Sequence, residues 1–266
     1  MSAQQLSLNN KVAIVTGGTR GIGASTVLEF AKRGAKVAFT YVSDSSAKLA
    51  DDLIATVREL HNGSDALAIQ ADMGSLDSPD RIVGACVSAF GNTIDILVNN
   101  AAAGGPTPVT PPNTTTLEAW DANINVSLRG AFFMTQAVVP HLPKAGGGRI
   151  INVGSTTARR VTASLAAYAA AKAGLEAFSR VWAVELGRIG HTANTVTPGP
   201  TETDMLATGM QTPEVRKDYE DAARGTPMEA RFGTAEDVAL VITALAEPGM
   251  RWVTGQTISA SGGFTM

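Results

Sequence analysis

The 266-residue sequence has little of what disulfide-bonded, metal-binding and membrane proteins need. Its single cysteine, Cys86, excludes an internal disulfide, and the apolar residues around it favour a small buried side chain over a nucleophile. Its three histidines show no metal-ligand spacing, so we expect no metal site. No apolar run is long enough to span a bilayer, and the N-terminus lacks a basic-then-apolar signal pattern. We therefore expect a cytoplasmic protein with no membrane partner.

The chain also has no large excess of positive or negative charge. The net charge of −3 provides no basic stripe, so we expect no nucleic-acid partner. With 44% hydrophobic residues the chain has ample material for one large core, and α/β folds of this length often form a single unit. We therefore expect one domain over residues 1–266.

Short apolar runs alternate with longer stretches of helical spacing. This alternation predicts an α/β fold: a doubly wound, Rossmann-type, mostly parallel seven-stranded sheet with helices on both faces. The predicted strands are Lys11–Thr16, Ala35–Tyr41, Ala66–Gln70, Ile94–Val98, Arg149–Val153, Thr192–Thr197 and Thr257–Ala260. The predicted helices are Ala24–Arg33, Ser46–His61, Pro79–Phe90, Leu117–Leu142, Ala166–Ile189 and Ala235–Ala246.

Two stretches read as irregular, Gly104–Thr114 and Thr203–Met228. Both would lie beyond the carboxyl ends of the strands, where open α/β sheets bind ligands. Between them, Thr115-Thr116-Leu117-Glu118 has the form of a capping box and predicts a helix start.

A glycine-rich turn follows the first predicted strand and leads into the first helix. Glycines in such a turn let the backbone approach a pyrophosphate, which then rests on the amides and positive dipole of the helix N-terminus. The strand–turn–helix context predicts a dinucleotide site, although the glycine spacing differs from the usual fingerprint. The candidate residues are Gly17, Thr19, Arg20, Gly21, Ile22 and Gly23.

Further motifs follow in order along the chain. They are Asn99-Asn100-Ala101-Ala102 after strand four, Ser155 with Tyr168 and Lys172, Pro198-Gly199-Pro200-Thr201-Glu202-Thr203 after strand six, Thr254-Gly255-Gln256, and Gly262-Gly263. Together with the glycine turn they resemble the short-chain dehydrogenase/reductase family over nearly the whole chain. The resemblance implies cofactor contacts from Asp72, Met73, Asn99, Ala101, Pro198, Gly199, Thr201 and Thr203. From the sequence alone, Asp72 could equally cap the next turn.

The resemblance also implies a catalytic role for Tyr168, as proton donor in carbonyl reduction and acceptor in alcohol oxidation. Tyr168 and Lys172 are four residues apart and would share one helix face. The Lys172 ammonium and an oxidised nicotinamide should both favour the phenolate, so we expect the pKa of Tyr168 to fall toward neutrality. By resemblance, Lys172 also holds the nicotinamide ribose. Ser155 would donate a hydrogen bond to the substrate oxygen.

The residues near the end of the second predicted strand favour NADP(H) over NAD(H) as cofactor. An NAD-binding protein commonly places an acid there to hold the ribose hydroxyls, and this chain has Tyr41 instead. Tyr41 and Ser43 can donate hydrogen bonds, and Arg20 can supply a cation for the extra phosphate. An inward-pointing Asp44 would weaken this prediction.

One position departs from the family. Members typically carry a catalytic Asn where this chain has Ser127, and Asn125 would be about 200° out of phase on an α-helix. The family Asn is thought to hold a water that relays protons to the lysine. We expect activity to survive with Ser127 in that place, because a backbone carbonyl can hold the water and a serine hydroxyl can still bond locally.

The substrate is expected to be a small carbonyl or alcohol compound under a mostly apolar cover. Residues 204–228 would form that cover, with Met205, Leu206 and Met210 facing the nicotinamide end of the cleft. The Pro106–Thr116 loop would border the same cleft, and Arg159 and Arg160 could meet an acidic group or simply be solvated.

The leading hypothesis is an NADPH-dependent carbonyl reductase that runs in reverse as an alcohol dehydrogenase. One alternative is a 3-oxoacyl thioester reductase of fatty-acid type, and another is a nucleotide-sensing protein without catalysis. By resemblance, the apolar helices Leu117–Leu142 and Ala166–Ile189 would pair subunits into a homotetramer.

Overall fold

The computed structural model describes residues 6–103, 115–160, 165–210 and 212–266, and within these ranges seven strands form one sheet. The sheet order is β3-β2-β1-β4-β5-β6-β7, and every neighbouring pair is parallel. The prediction of a doubly wound, Rossmann-type sheet is confirmed, and the sheet is wholly rather than mostly parallel. The strands are β1 Val12–Val15, β2 Lys36–Tyr41, β3 Asp65–Gln70, β4 Ile96–Asn99, β5 Arg149–Val153, β6 Thr192–Pro198 and β7 Thr257–Ala260.

Helices cover both faces of the sheet. They are α1 Gly21–Lys32, α2 Ala47–Arg58, α3 Ser78–Phe90, α4 Leu117–Ile124, α5 Gly130–Val138, α6 Ala166–Gly187, α7 Asp204–Gly209, α8 Pro213–Arg224 and α9 Ala235–Ala246. No helix within the described ranges is long and apolar enough to cross a membrane.

Alternate residues of each strand supply two separate cores. In β1, Ala13 and Val15 pack with α1 and α9, whereas Val12 and Ile14 pack with α3, α5 and α6. Successive side chains of a strand point to opposite faces, so a strand buried on both faces is apolar throughout. Cys86 is buried in the second core, which confirms its predicted role as a small buried side chain.

The chain reverses its winding direction between β1 and β4, since β2 and β3 lie on one side of β1 and the later strands on the other. The loops that leave these two strands diverge and open a crevice at the carboxyl edge of the sheet. The glycine turn and the Asn99-Asn100 segment both lie at this edge.

The helix predicted over Leu117–Leu142 is interrupted. It begins at Leu117 as predicted, but Thr116 rather than Thr115 is the cap, because its side chain accepts from the Ala119 amide at 3.2 Å. A π-helical turn, Asn125–Arg129, separates α4 from α5, and α5 ends in a 3₁₀ turn at Val139–His141 that contains a proline.

The prediction that Thr203–Met228 is irregular was wrong. The segment contains α7 and α8, each begun by a threonine cap: Thr203 accepts from the Leu206 amide, and Thr212 from the Val215 amide. Helix α7 has only six residues and α8 is rich in charge, so neither shows a clear apolar period. The readable signals were the threonine caps and Pro213 at the first turn of α8.

Candidate active site

A cavity of about 720 Å³ opens at the carboxyl edge of the sheet. Segments that follow β1, β2, β4, β5 and β6 contribute to its walls, and α6, α7 and α8 close it. The predicted site residues that line it are Gly17, Thr19, Arg20, Gly21, Ile22, Gly23, Tyr41, Met73, Ala101, Ser155, Tyr168, Lys172, Pro198, Gly199, Thr201 and Thr203. Pro106–Thr114, part of the loop expected to border the cleft, lies outside the described residues.

The glycine turn is packed too tightly for side chains at two of its positions. A Cβ on Gly23 would lie 2.0 Å from the Gly17 carbonyl oxygen, and Gly17 has φ +66° with a Cβ position 3.1 Å from the Ala101 Cα. The amide of Asn100 braces the turn, donating to the carbonyl oxygens of Thr16 and Gly17 at 2.9 Å each. The backbone of the turn therefore forms a fixed cradle at the N-terminus of α1, which suits a pyrophosphate.

Three predicted cofactor residues lie away from the cavity wall. Asn99 is buried and donates to Thr135 Oγ1 at 3.0 Å and Asn152 Oδ1 at 2.9 Å, so it joins β4 to its neighbours. Asp72 accepts from the Gly74 amide at 2.8 Å, which is the turn-capping alternative. The Ser43 hydroxyl contacts two serine hydroxyls in the turn that follows β2. Asn100, which had no predicted role of its own, lines the cavity in place of Asn99.

Arg20 reaches across the cleft. Its Nη1 lies 2.9 Å from Oδ2 of Asp204, the first residue of α7, and both side chains are largely exposed. Tyr41 lines the cavity at the end of β2, and Asp44 accepts from Gln70 Nε2 at 2.8 Å outside the cavity wall. The acid that could have weakened the NADP prediction is therefore bound to a β3 side chain.

Three of the four predicted catalytic side chains, Ser155, Tyr168 and Lys172, line the same cavity. Ser155 follows β5, and its Oγ accepts from the Thr157 amide at 3.1 Å. Tyr168 and Lys172 lie one turn apart on α6, with the Lys172 Nζ 5.6 Å from the Tyr168 ring centre. Lys172 Nζ also donates to the Val153 carbonyl oxygen at 2.8 Å, so the lysine is fixed to the strand that leads to Ser155.

Burial dominates the electrostatics of this cluster. It raises the pKa of the Tyr168 phenol, a hydrogen bond with Ser155 acts in the opposite direction, and the nearby Tyr219 raises the pKa further. Burial lowers the pKa of Lys172 to about 8, because the interior disfavours the ammonium. In the protein without a cofactor the pKa of Tyr168 is thus raised. The fall expected from Lys172 together with a bound oxidised nicotinamide stays a prediction.

Ser127 lies in the π-helical turn between α4 and α5 and is buried. Its Oγ accepts from the Ala103 amide at 3.4 Å, so it contacts the backbone that follows Asn99-Asn100. The neighbouring Val126 lines the cavity, and Ser127 does not. The Ser127 hydroxyl, at the position of the family Asn, therefore contacts the loop after β4 and does not reach the cavity.

Sequence reasoning missed the side chains that α8 contributes. Val215, Asp218, Tyr219 and Ala222 line the cavity from one helical face, at the i, i+3, i+4 and i+7 spacing. Met205 and Leu206 of α7 line it as predicted, whereas Met210 does not. This face of α8 contains the polar Asp218 and Tyr219, so an apolar period over Pro213–Arg224 does not reveal it.

The C-terminal segment adds a further wall that the sequence did not reveal. The Arg160 guanidinium lies 3.9 Å from the Phe264 ring centre, and its Nη1 donates to the Phe264 carbonyl oxygen at 2.9 Å. Both residues line the cavity. Arg160 is therefore engaged by the chain itself, and Arg159 is paired with Glu176 at 2.9 Å.

Comparisons with known proteins show the family of this chain. Residues 17–265 match the family described as Enoyl-(Acyl carrier protein) reductase. A dehydrogenase of Cochliobolus heterostrophus is 43% identical over 231 residues, which are 87% of this chain and 97% of that protein. A 3-oxoacyl-(acyl-carrier-protein) reductase of Synechocystis is 38% identical over 98% of this chain and 99% of its own length.

A solved structure shows the same fold. It is a short chain dehydrogenase from Burkholderia cenocepacia J2315 in complex with NADP, 37% identical, with a TM-score of 0.86 over 97% of this chain and 99% of that one. Sequence, fold and cavity thus lead to the same conclusion. The chain is an oxidoreductase that acts on CH–OH and C=O groups, and it belongs to the short-chain dehydrogenase/reductase family.

Proposed function

We propose that the protein is an NADPH-dependent reductase of ketone or aldehyde carbonyls that also oxidises the corresponding alcohols. The observation that carries this proposal is the convergence of Ser155, Tyr168 and Lys172 on the cavity that the glycine turn also lines. A nucleotide sensor would need the turn but none of the three side chains. We assign all three to catalysis.

The residues present fit a dinucleotide. The turn Gly17–Gly23 would hold the pyrophosphate, because its glycines leave a cradle that a Cβ would fill. Ala101, Pro198, Gly199, Thr201 and Thr203 would line its path toward Lys172. When bound, the nicotinamide supplies the hydride.

Three features support NADP over NAD. Tyr41 stands at the end of β2 where an acid would repel the extra phosphate, Asp44 is bound to Gln70, and Arg20 lies in the cavity wall. The Burkholderia relative was solved with NADP, which supports the same choice. Asp204 opposes it, because it pairs with the Arg20 guanidinium that the phosphate would use.

The chain's own residues would move the proton. Ser155 would donate a hydrogen bond to the substrate oxygen, where negative charge develops. Tyr168 would give its phenolic proton to that oxygen in reduction and take it back in oxidation. Lys172 would stabilise the phenolate while its Nζ is held on the Val153 carbonyl oxygen. Burial and Tyr219 raise the pKa of Tyr168. Proton exchange near neutrality would therefore need the positive charges of Lys172 and the oxidised nicotinamide.

The substrate would lie between the catalytic cluster and residues 204–228. Leu165, Leu206, Val215 and Phe264 give this end of the cavity apolar walls, with the Tyr219 phenol among them. These side chains favour a carbonyl compound with an apolar body. We propose the 204–228 segment as its cover and the homotetramer as the assembly.

A 3-oxoacyl thioester is the second candidate substrate. The Synechocystis relative, named as a reductase of this type, favours it, whereas the net charge of −3 gives no general attraction for an acidic carrier protein. The test is a panel of ketones, aldehydes and acyl thioesters, each followed by loss of NADPH or NADH absorbance. We expect the highest kcat/KM with NADPH and an apolar ketone or aldehyde. A KM for NADH equal to or below that for NADPH contradicts the cofactor assignment, and turnover of thioesters alone contradicts the substrate assignment.

A further inference from the structure

An ion pair joins the turn that follows Ser155 to the helix that carries Tyr168. Arg159 follows the 3₁₀ turn Thr156–Ala158 and donates to Glu176 Oε2 from Nε at 3.1 Å and from Nη2 at 2.9 Å. Glu176 lies on α6, one turn beyond Lys172 and two beyond Tyr168. Neither member of the pair lines the cavity, so the contacts proposed for cofactor and substrate do not account for it.

Glu176 is the buried member of this ion pair. The Glu176 side chain is 8% exposed and that of Arg159 is 53% exposed. A carboxylate removed from water needs a charged partner, since its desolvation is otherwise uncompensated. Its second oxygen, Oε1, is buried without a hydrogen-bond partner in the described part of the chain. The Glu176 charge therefore holds Arg159, and with it the end of the turn, at one position on α6.

The same turn fixes the Ser155 hydroxyl. Ser155 Oγ accepts from the Thr157 amide and lies 3.1 Å from Thr157 Oγ1, so its rotamer depends on where the turn lies. Ser155 and Tyr168 line the same cavity, and Ser155 acts to lower the pKa of the Tyr168 phenol. The contacts of Glu176 with Arg159, and of the turn with Ser155, thus connect two positions of α6, Glu176 and Tyr168.

We propose that Glu176 and Arg159 are positioning residues that keep Ser155 within hydrogen-bond reach of both Tyr168 and the substrate oxygen. This inference rests on the proposed function, because it assigns the pair a task in that reaction. The pair touches neither substrate nor cofactor. Its effect is geometric, since displacing a catalytic group by about 1 Å can cost about 100-fold in rate.

The first test is Glu176→Gln, which keeps the shape of the side chain and removes its charge. We expect kcat to fall about 10- to 100-fold, with the KM for the carbonyl substrate and the Kd for NADPH within about threefold of wild type, since neither binding surface includes Glu176. The apparent pKa for alcohol oxidation should rise, because a displaced Ser155 no longer lowers the pKa of Tyr168. Lys172 and Tyr219, which also face Tyr168, are unchanged in this variant.

The partner variants separate positioning from bulk stability. Arg159→Lys should keep most of kcat, because an ammonium can still pair with Glu176, whereas Arg159→Ala should match Glu176→Gln. The double variant should be no worse than either single one, since both remove one interaction. Glu29→Gln is the matched control. The Glu29 side chain on α1 is 6% exposed and pairs with Lys32 and with Arg33 just beyond the helix, so this variant should lose stability without losing kcat.

Three results would overturn the inference. One is a kcat within twofold of wild type for Glu176→Gln, and another is an unshifted pH profile with no rescue by Arg159→Lys. If Glu176→Gln does not fold, wild-type kcat in Arg159→Ala is decisive, because Arg159 is half exposed. Full turnover by Tyr168→Phe, in contrast, refutes the proposed function itself.

Discussion

Replacing Lys172 with methionine is expected to change stability in a strongly pH-dependent way while abolishing turnover. Lys172 is 2% exposed, and burial lowers its pKa from 10.5 to about 8. At about 1.4 kcal/mol per pKa unit, this lowering corresponds to about 3 kcal/mol of unfavourable desolvation when the group is charged. Methionine removes that cost but leaves the Val153 carbonyl without its lysine partner, which costs about 1–3 kcal/mol. The two changes nearly cancel at pH 7.

The difference in unfolding free energy between the wild type and Lys172→Met nevertheless depends on pH. Below pH 8 both the folded and unfolded chains carry a charged Lys172, so the desolvation cost is fully present. Between pH 8 and 10.5 the unfolded state binds more protons, and the stability of the wild type rises relative to the variant. The difference in unfolding free energy should therefore shift by up to about 3 kcal/mol in favour of the wild type, with most of the change between pH 8 and 10.

The assay is urea unfolding followed by circular dichroism at pH 7, 8, 9 and 10, at one protein concentration because assembly shifts apparent stability. Tyr168, Tyr219 and Cys86 also titrate at high pH, but they are common to both proteins and their effects largely cancel. Lys48→Met, on an exposed site of α2, controls for the loss of one positive charge. A difference between Lys172→Met and wild type that stays constant from pH 7 to 10 would refute the burial of a lysine at this position.

Four further variants and one control test the cofactor cradle and the altered family position. Arg20→Ala should weaken the binding of NADPH about 10- to 100-fold and leave the binding of NADH nearly unchanged. Asp204→Asn should tighten the binding of NADPH about two- to fivefold, because it frees Arg20. Both affinities are measured by fluorescence titration, and equal effects on the two cofactors contradict the assignment. Gly23→Ala should lower NADPH affinity at least about tenfold, because its Cβ would lie 2.0 Å from the Gly17 carbonyl oxygen. Its control, Gly84→Ala on α3, meets nothing within 4 Å and should only stabilise the helix by about 0.5–1 kcal/mol. Ser127→Asn should raise kcat by less than about tenfold, because Ser127 lies on the Ala103 amide behind the cavity, and a larger rise would show that the serine limits turnover.

The sheet and its flanking helices were predictable because their signals are local. Parallel strands buried on both faces read as short apolar runs, and the crossover helices between them have an apolar period. Helix α8 was missed because Pro213–Arg224 carries mainly charged and polar residues and packs on the cavity rather than on the core. This helix is recognised by its packing in the fold, which the pattern of apolar residues in the sequence does not show.

The site was only partly predictable for a related reason. The spacing of Ser155, Tyr168 and Lys172 identified them by resemblance, but which residue of the Asn99-Asn100 pair faces the cavity depends on how β4 ends. The burial that raises the Tyr168 pKa, and the pairs Arg20–Asp204 and Arg159–Glu176, join segments whose distance in space no sequence spacing encodes.

The most direct measurement is the turnover of Tyr168→Phe, which deletes one oxygen and leaves the ring in place. With NADPH and the best carbonyl of the panel, we predict a fall in kcat of about 10²- to 10⁴-fold, because the variant lacks the hydroxyl that we propose as the acid for the substrate oxygen. The Kd for NADPH should stay within about threefold of wild type, since the glycine cradle and Lys172 are intact. A variant that retains a kcat within tenfold of wild type would contradict the role of the Tyr168 hydroxyl as the proton donor.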